Sequence, residues 1–166
     1  MKEVFVKEKC RKIGVISDTH LKYGGMIPKK VLQVFSGVDL IIHAGDFTDE
    51  IILKELERIA PVIAVNGNWD DLKLPEVCII CVSGFRIGLW HGAGSPSDIL
   101  EYVKEQFYGL DVDAVVFGHS HYPLNKKENG ILYFNPGSPT DKYFAPYNSI
   151  GILELSDEIK GRIIKI

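Results

Sequence analysis

Five short apolar runs in this chain all end in the same kind of punctuation, and this regularity constrains the fold more than any other feature. KIGVIS (12–17) leads into Asp18-Thr19-His20, DLIIH (39–43) into Gly45-Asp46, and PVIAVN (61–66) into Gly67-Asn68-Trp69-Asp70. FRIGLW (85–90) leads into His91-Gly92 and DAVVF (113–117) into Gly118-His119-Ser120-His121. Short runs rich in Val, Ile and aromatic residues and closed by Gly, Asn or Asp read as buried strands. Helical patterns separate the early ones. Pro28 opens a helix running to about Phe35, and Thr48 reads as the N-cap of a second, with Ile51, Ile52, Leu56 and Ile59 as its apolar face. A third helix starts after Pro96 and buries Ile99, Leu100, Val103 and Phe107.

The second half of the chain is punctuated differently. A further strand at 77–82 turns at Ser83-Gly84 into the run at 85–90, and Asn129-Gly130 joins Leu124–Lys127 to Ile131–Phe134. The stretch from Ser149 to Ile166 reads as two more strands turned at Ser156-Asp157. Parallel strands linked by helices and then antiparallel hairpins predict an α/β fold. The expected architecture is two mixed β-sheets packed face to face with helices on the outside, a four-layer αββα sandwich. The 166 residues (18.6 kDa) are expected to form a single domain spanning 1–166, large enough to bury roughly 70% of the surface of the unfolded chain.

Composition removes several classes of function. The chain carries 19 basic and 22 acidic residues with no basic run, so it lacks the electrostatic footprint of a duplex nucleic-acid binder. The opening residues MKEVFVKEKCRK are charged throughout and have no apolar signal segment, and no apolar run approaches twenty residues. A cytoplasmic protein without a membrane association is expected. Three cysteines, Cys10, Cys78 and Cys81, fit a reduced compartment. Cys78 and Cys81 spell C-x-x-C, but inside the strand-like VCIICV positions three apart point to opposite faces, and no second pair completes a tetrahedral zinc site.

In open α/β sheets, ligands bind in the crevice outside the carboxyl ends of the strands. The residues that follow the five runs are therefore expected to converge, and what converges is chemically selective. The set holds two carboxylates, one carboxamide and four imidazoles: Asp18, Asp46, Asn68, His20, His91, His119 and His121, with four of the chain's five histidines and no cysteine. All offer oxygen or nitrogen lone pairs to a divalent metal. This is more ligand than one ion needs. Seven donors with one carboxylate shared would serve two ions that keep open positions.

The ordered set D-x-H, G-D, G-N, H-G and G-H-x-H resembles the calcineurin-like metallophosphoesterases. The resemblance spans Asp18 to His121 and continues into Asn135-Pro136-Gly137-Ser138. Chain length and the G-N-W-D form place it nearest the compact bacterial and archaeal phosphodiesterases, a branch that includes the retromer subunit of the same fold. The resemblance implies Asp18, His20 and His121 on one metal, Asn68, His91 and His119 on the other, and Asp46 bridging them. It further implies a metal-dependent phosphodiesterase in which a metal-bridging hydroxide attacks phosphorus in line, with Asp46, Asn68 and His119 in catalytic positions. Two divalent ions less two carboxylates and one hydroxide leave about one positive charge, which suits a small phosphate diester. Mixed imidazole, carboxylate and carboxamide ligation suits Mn, Ni, Fe, Co or Zn.

Many relatives have G-N-H at the third motif, where the histidine is thought to help protonate the leaving group; here the residue is Trp69. Loss of a general acid costs about 10²- to 10⁴-fold, most where the leaving alkoxide is poor, so diesters and esters with acidic leaving groups are the expected substrates. His119 or a metal-bound water stands as the alternative acid. Trp69 itself has two readings, a cover for the sheet end or a stacking surface for a planar group of the substrate. His43 reads as packing or support beneath the ligands. Asp70 and Asp49 either orient a metal-bound imidazole through its free N–H or cap a turn or helix. Tyr143, Phe144, Pro146 and Tyr147 either line a pocket near the site, cover a sheet edge or form a homo-oligomer contact. The rival function is a binding scaffold that has lost catalysis, whose signature would be degraded donor positions. A metal-free nucleotide-binding domain needs a glycine-rich loop after the first strand, and Ser17-Asp18-Thr19-His20-Leu21-Lys22 is not one.

Overall fold

The computed structural model describes residues 1–21 and 25–166, so Lys22, the end of the stretch just quoted, lies outside the described residues. In chain order the elements are β1 (Lys2–Val6), β2 (Lys12–Ile16), α1 (Lys29–Phe35), β3 (Leu40–His43), α2 (Ile51–Glu57), β4 (Val62–Ala64) and β5 (Val77–Val82). They continue as β6 (Phe85–Trp90), α3 (Ile99–Gln106), β7 (Ala114–Val116), β8 (Leu124–Glu128), β9 (Ile131–Asn135), β10 (Ser149–Leu155) and β11 (Ile159–Lys165).

The strands form two mixed sheets. One has five strands in the order β11-β10-β2-β3-β4, with β2, β3 and β4 parallel. The other has six in the order β1-β5-β6-β7-β9-β8, in which β6, β7 and β9 are parallel and β5 runs antiparallel to β6. Three apolar layers tie these sheets into the expected sandwich. Ile13, Val15, Leu40 and Ile42 meet Ile80, Ile87, Leu89 and Val116 between the sheets. On the outer face of the five-stranded sheet, Ile16, Ile41 and Ile152 pack on Val31 and Phe35 of α1 and on Ile52 and Leu56 of α2. On the outer face of the six-stranded sheet, Ile79, Val115 and Tyr133 pack on Ile99 and Val103 of α3. Consecutive residues of the central strands thus enter different layers, and both kinds of face are apolar, which is why the runs read as continuous rather than alternating.

The hairpins match their turn residues. Ser83 and Gly84 (φ 50° and 88°), like Asn129 and Gly130 (φ 50° and 84°), take the double left-handed conformation that matches strand twist. Cys78 lies in the layer between the sheets and Cys81 on the opposite face, where its sulfur meets Arg86, so the two do not form half a metal site. Burial pushes the Cys78 thiol up to about 11. No helix among the described residues is long and apolar enough to cross a membrane.

One local expectation needs correction, and one element was not foreseen. Thr48 does not cap α2: it sits at φ 65° with its Oγ1 donating to the Leu21 carbonyl, while Asp49 Oδ1 accepts the Ile51 N–H at the helix start. The charged opening residues form β1, which adds to β5 in parallel at the edge of the six-stranded sheet, where Lys2, Glu3 and Phe5 project to solvent. An edge tolerates charge, and charge also blunts it against further pairing.

Phe134 is the plug between the sheets on the β9 side. Its ring is fully buried and lies flat against the backbone of β10 and β11, where a Cβ at Gly151 or Gly161 would stand only 2.3 or 2.6 Å from it. Phe134→Ala should lower the free energy of unfolding by about 3–5 kcal/mol in urea titrations, since the glycine-lined space cannot collapse onto the smaller side chain. A loss under 1 kcal/mol would show that the sheets close without it.

Candidate metal centre

The polar residues after β2, β3, β4, β6 and β7 gather at one end of the sandwich. Asp18, His20, Asp46 and Asn68 come from the five-stranded sheet, and His91, His119 and His121 from the six-stranded one. The backbone is bent to bring them in. Among the described residues eight non-glycine positions have positive φ; two are hairpin turns, and the others are Asp18, His20, Asp46, Thr48, His119 and His121, all around this crevice. Left-handed conformations cost free energy in residues bearing a Cβ, and they persist where surrounding structure over-determines them, typically at functional sites. Close approach also demands glycine. A Cβ on Gly67 would meet Asp46 Oδ1 at 2.1 Å, and one on Gly118 would meet Ser17 Oγ at 1.9 Å and Asp18 Oδ2 at 2.7 Å.

Asp18 and Asp46 are both buried, and imidazoles surround them. Asp46 Oδ2 lies 3.5 Å from His20 Nε2 and 3.3 Å from His91 Nε2; Asp18 Oδ1 lies 3.4 Å from His121 Nε2 and 4.0 Å from the Nε2 atoms of His20 and His91. Two overlapping groups result, Asp18–His20–His121 and Asp18–Asp46–His91, each with its donor atoms within 4.8 Å of one another. Asn68 and His119 meet each other instead, Oδ1 to Nδ1 at 2.9 Å, and His119 Nε2 lies 2.9 Å from the Gly94 carbonyl.

The electrostatics favour positive charge between the carboxylates. Burial opposes charging of His91, yet Asp46 and Asp18 raise its pKa above the usual imidazole value. Burial also opposes charging of His121, but Asp18 and Asp141 push it up to about 9. In His20 burial prevails over the same carboxylates and the pKa falls. Burial works to protonate Asp46, but the His91 contact and the Trp69 N–H outweigh it and hold the carboxyl below its ordinary value.

One atom tests whether this arrangement fits a metal ion. His91 donates Nδ1–H to the Ala44 carbonyl at 2.7 Å, which turns the Nε2 lone pair toward the two carboxylates. That buried Nε2 lies 3.3 Å from Asp46 Oδ2 but makes no hydrogen bond of good geometry among the described residues. Buried polar atoms are rarely left so, and an unmet nitrogen beside two carboxylates fits a divalent cation.

Two roles stand open for Asp70 and Asp49, orienting an imidazole or capping a turn or helix, and their hydrogen bonds are to backbone N–H groups. Asp70 binds backbone: Oδ2 accepts the N–H of Asp46 and of Gly67, and Oδ1 accepts that of Thr48, clamping the loop after β3 to the loop after β4. Asp49 serves the start of α2. His43 is fully buried beneath the site, accepts the Gly45 N–H at Nδ1 and faces Thr19 Oγ1; burial holds its pKa down to about 3, so it stays neutral. The aspartate that does orient a ligand-set imidazole is Asp141, whose Oδ2 accepts from His121 Nδ1 at 2.5 Å and whose carboxylate also accepts the N–H groups of Tyr143, Phe144 and Ala145. Sequence reasoning missed Asp141. Its only signal was a position three residues beyond Ser138, an acidic residue in a turn-rich stretch.

The aromatic segment after Asp141 splits in two. Tyr143 and Phe144 line a cavity over the donor set, whereas the Tyr147 ring lies under the Lys165 ammonium on the β11 edge. Asn135 and Ser138 close the site from behind: Asn135 Nδ2 donates to the Gly118 carbonyl, and Ser138 Oγ to the Asp18 carbonyl at 2.7 Å.

Residues 12–158 match the calcineurin-like phosphoesterase superfamily domain. A protein of Methanocaldococcus jannaschii named as a probable metallophosphoesterase is 41% identical over 161 residues, covering 93% of this chain and 81% of its own. A phosphodiesterase of the same organism is 27% identical over 162 residues, covering 86% and 92%. The crystal structure of wild-type Vps29 from Entamoeba histolytica complexed with Zn²⁺ superposes with a TM-score of 0.73 at 26% identity, covering 93% of this chain and 98% of that one.

The three charge-assisted bonds of Asp70 should hold the site loops in place. Asp70→Ala should destabilise the protein by about 2–4 kcal/mol, on the order of 1.5–3 kcal/mol per bond to a charged group less what water recovers. Thermal unfolding and metal titration of the variant check this. An unchanged melting temperature with unchanged metal affinity would refute the clamp.

Proposed function

The chain belongs to the calcineurin-like phosphoesterase superfamily, and we propose that within it this protein is a phosphodiesterase working with two divalent ions. The observation that carries the reading is the pair of buried carboxylates, Asp18 and Asp46, with the buried Nε2 of His91 between them and His20 and His121 beside them. Asp18, His20 and His121 would hold one ion and His91, Asn68 and His119 the other, with Asp46 shared. Bound divalent ions supply Lewis acidity: they bring the pKa of water toward neutrality and offset charge that builds on phosphoryl oxygens.

The chain's own residues do the rest. The Ala44 carbonyl fixes His91 as the Nδ1–H tautomer, and Asp141 does the same for His121, so each presents Nε2 to the centre. The Trp69 N–H on Asp46 Oδ1 leaves Oδ2 to face His20 and His91. For Asn68 and His119 to serve as ligands they exchange their mutual contact for the ion. The Gly94 carbonyl accepts from His119 Nε2, which leaves Nδ1 to turn from Asn68 toward the ion, so His119 serves here as a ligand.

Without an imidazole at position 69, the rate should depend steeply on the leaving group. On protein stripped of metal and refilled with manganese, nickel or zinc, bis-nitrophenyl phosphate should be hydrolysed at least about 10²-fold faster than a simple alkyl phosphate, and Asp46→Asn should abolish both metal retention and turnover. Equal rates on the two esters would refute the leaving-group dependence, and an active Asp46→Asn protein would refute the site. Two ions bound per chain with no turnover would instead identify a scaffold.

A further inference from the structure

The two sheets end in four edge strands, β1 and β8 in one and β11 and β4 in the other. An open edge is a template for pairing with another chain, and proteins blunt it with charge, shortness or cover. Three of these edges are blunted in such ways. β4 has three residues. β8 and β11 meet each other, where Asn125 Nδ2 donates to the Gly161 carbonyl at 2.6 Å, and β11 carries charge of one sign at Lys160, Arg162 and Lys165.

β1 differs in the order of its residues. Lys2-Glu3-Val4-Phe5-Val6-Lys7-Glu8 complements its own reverse. Antiparallel pairing about a two-fold axis at Phe5 sets Lys2 opposite Glu8, Glu3 opposite Lys7, Val4 opposite Val6 and Phe5 opposite itself. A two-fold contact requires that each residue meet the one that meets it, and every position from 2 to 8 does so with opposite charge or an apolar partner. A slip of two residues, the smallest that keeps side chains on their own faces, sets Glu3 or Lys7 against Phe5 and Lys2 or Glu8 against valine. Both faces of the strand suit the match. Val4 and Val6 are half-buried against the layer between the sheets, and Phe5, in register with Cys81, is 68% exposed on the outer face. Lys7 and Glu8 follow the strand directly and are exposed.

We propose that β1 joins two copies of this chain, pairing antiparallel with its counterpart so that the two six-stranded sheets run on as one. The valines carry the layer between the sheets across the axis, and the two Phe5 rings cover each other. The charges that blunt this edge against other strands select this partner and this register. One strand from each chain makes a small interface, so the dimer is reversible. Each cross-strand ion pair contributes about 1.4- to 5-fold in affinity, and the axis makes each occur twice.

Sedimentation equilibrium of the full chain from about 1 μM to 1 mM should show a monomer–dimer equilibrium. Lys7→Glu sets like charge against Glu3 at two places, and Glu3→Lys does the same to Lys7; each should weaken the dimer at least about 4-fold. Both positions are exposed, so circular dichroism should show both variants folded. Mixed in equal amounts, the two variants bring opposite charges together again at both places, and the dimer should return. A monomer at every concentration overturns the proposal. So does a dimer that both substitutions leave at full strength, which would lie on another surface, and so does a mixture no more associated than its components.

Discussion

Two carboxylates taken out of water at the tips of neighbouring parallel strands set the terms for everything around them. Asp18 and Asp46 are almost wholly buried, and an ionised carboxylate in such a place costs several kcal/mol unless positive charge and donors surround it. The chain answers with three imidazoles, a bound N–H from Trp69 and another from His119 to Asp18. Each answer demands space, and the space is made by removing side chains at Gly67 and Gly118 and by forcing five of the seven donor residues into left-handed backbone. Strain, glycine and charge are one arrangement here, and its donors fit a divalent cation.

Because the donors come from both sheets, the site is also where the two halves of the sandwich are registered. Asp18 and Asp46 sit on the ends of β2 and β3, whereas His91 and His121 arrive from β6 and β7, and the apolar layer between the sheets sets how far apart those ends stand. The Asn135–Ser138 segment then ties the loop after β7 to the loop after β2 by side-chain bonds to carbonyls. Packing between sheets and geometry at the site are therefore not separable properties.

The order of polar residues behind apolar runs was readable in the sequence because a buried strand leaves a periodic trace and its end must be marked by residues that tolerate unusual backbone. The same logic recovered the hairpin turns at Ser83-Gly84 and Asn129-Gly130 and the three helices. What stayed hidden depends on contacts distant along the chain. β1 is a strand only because β5 offers it an edge, and its alternation of charge with Val4 and Phe5 looks like any exposed tail. Asp70 and Asp141 were ambiguous for a like reason: a carboxylate's role is set by which N–H groups surround it, and those of Asp70 come from residues 46, 48 and 67. The division of the aromatic segment between cavity and sheet edge turns on Asp141 and Lys165, which no local pattern links.

The pairing of β1 with β5 has a consequence in time. Its register sets Lys2 against Cys78 and Val6 against Val82, so a strand near one end of the chain waits for a partner made some seventy residues later. At ribosomal speeds of about 5–20 residues per second, that is roughly 4 to 15 seconds in which Val4 and Phe5 have nothing to pair with. Lys2, Glu3, Lys7, Glu8 and Lys9 flank them throughout that interval. Charges that look merely decorative on the finished edge are then the chain's protection against premature association while it is still being synthesised.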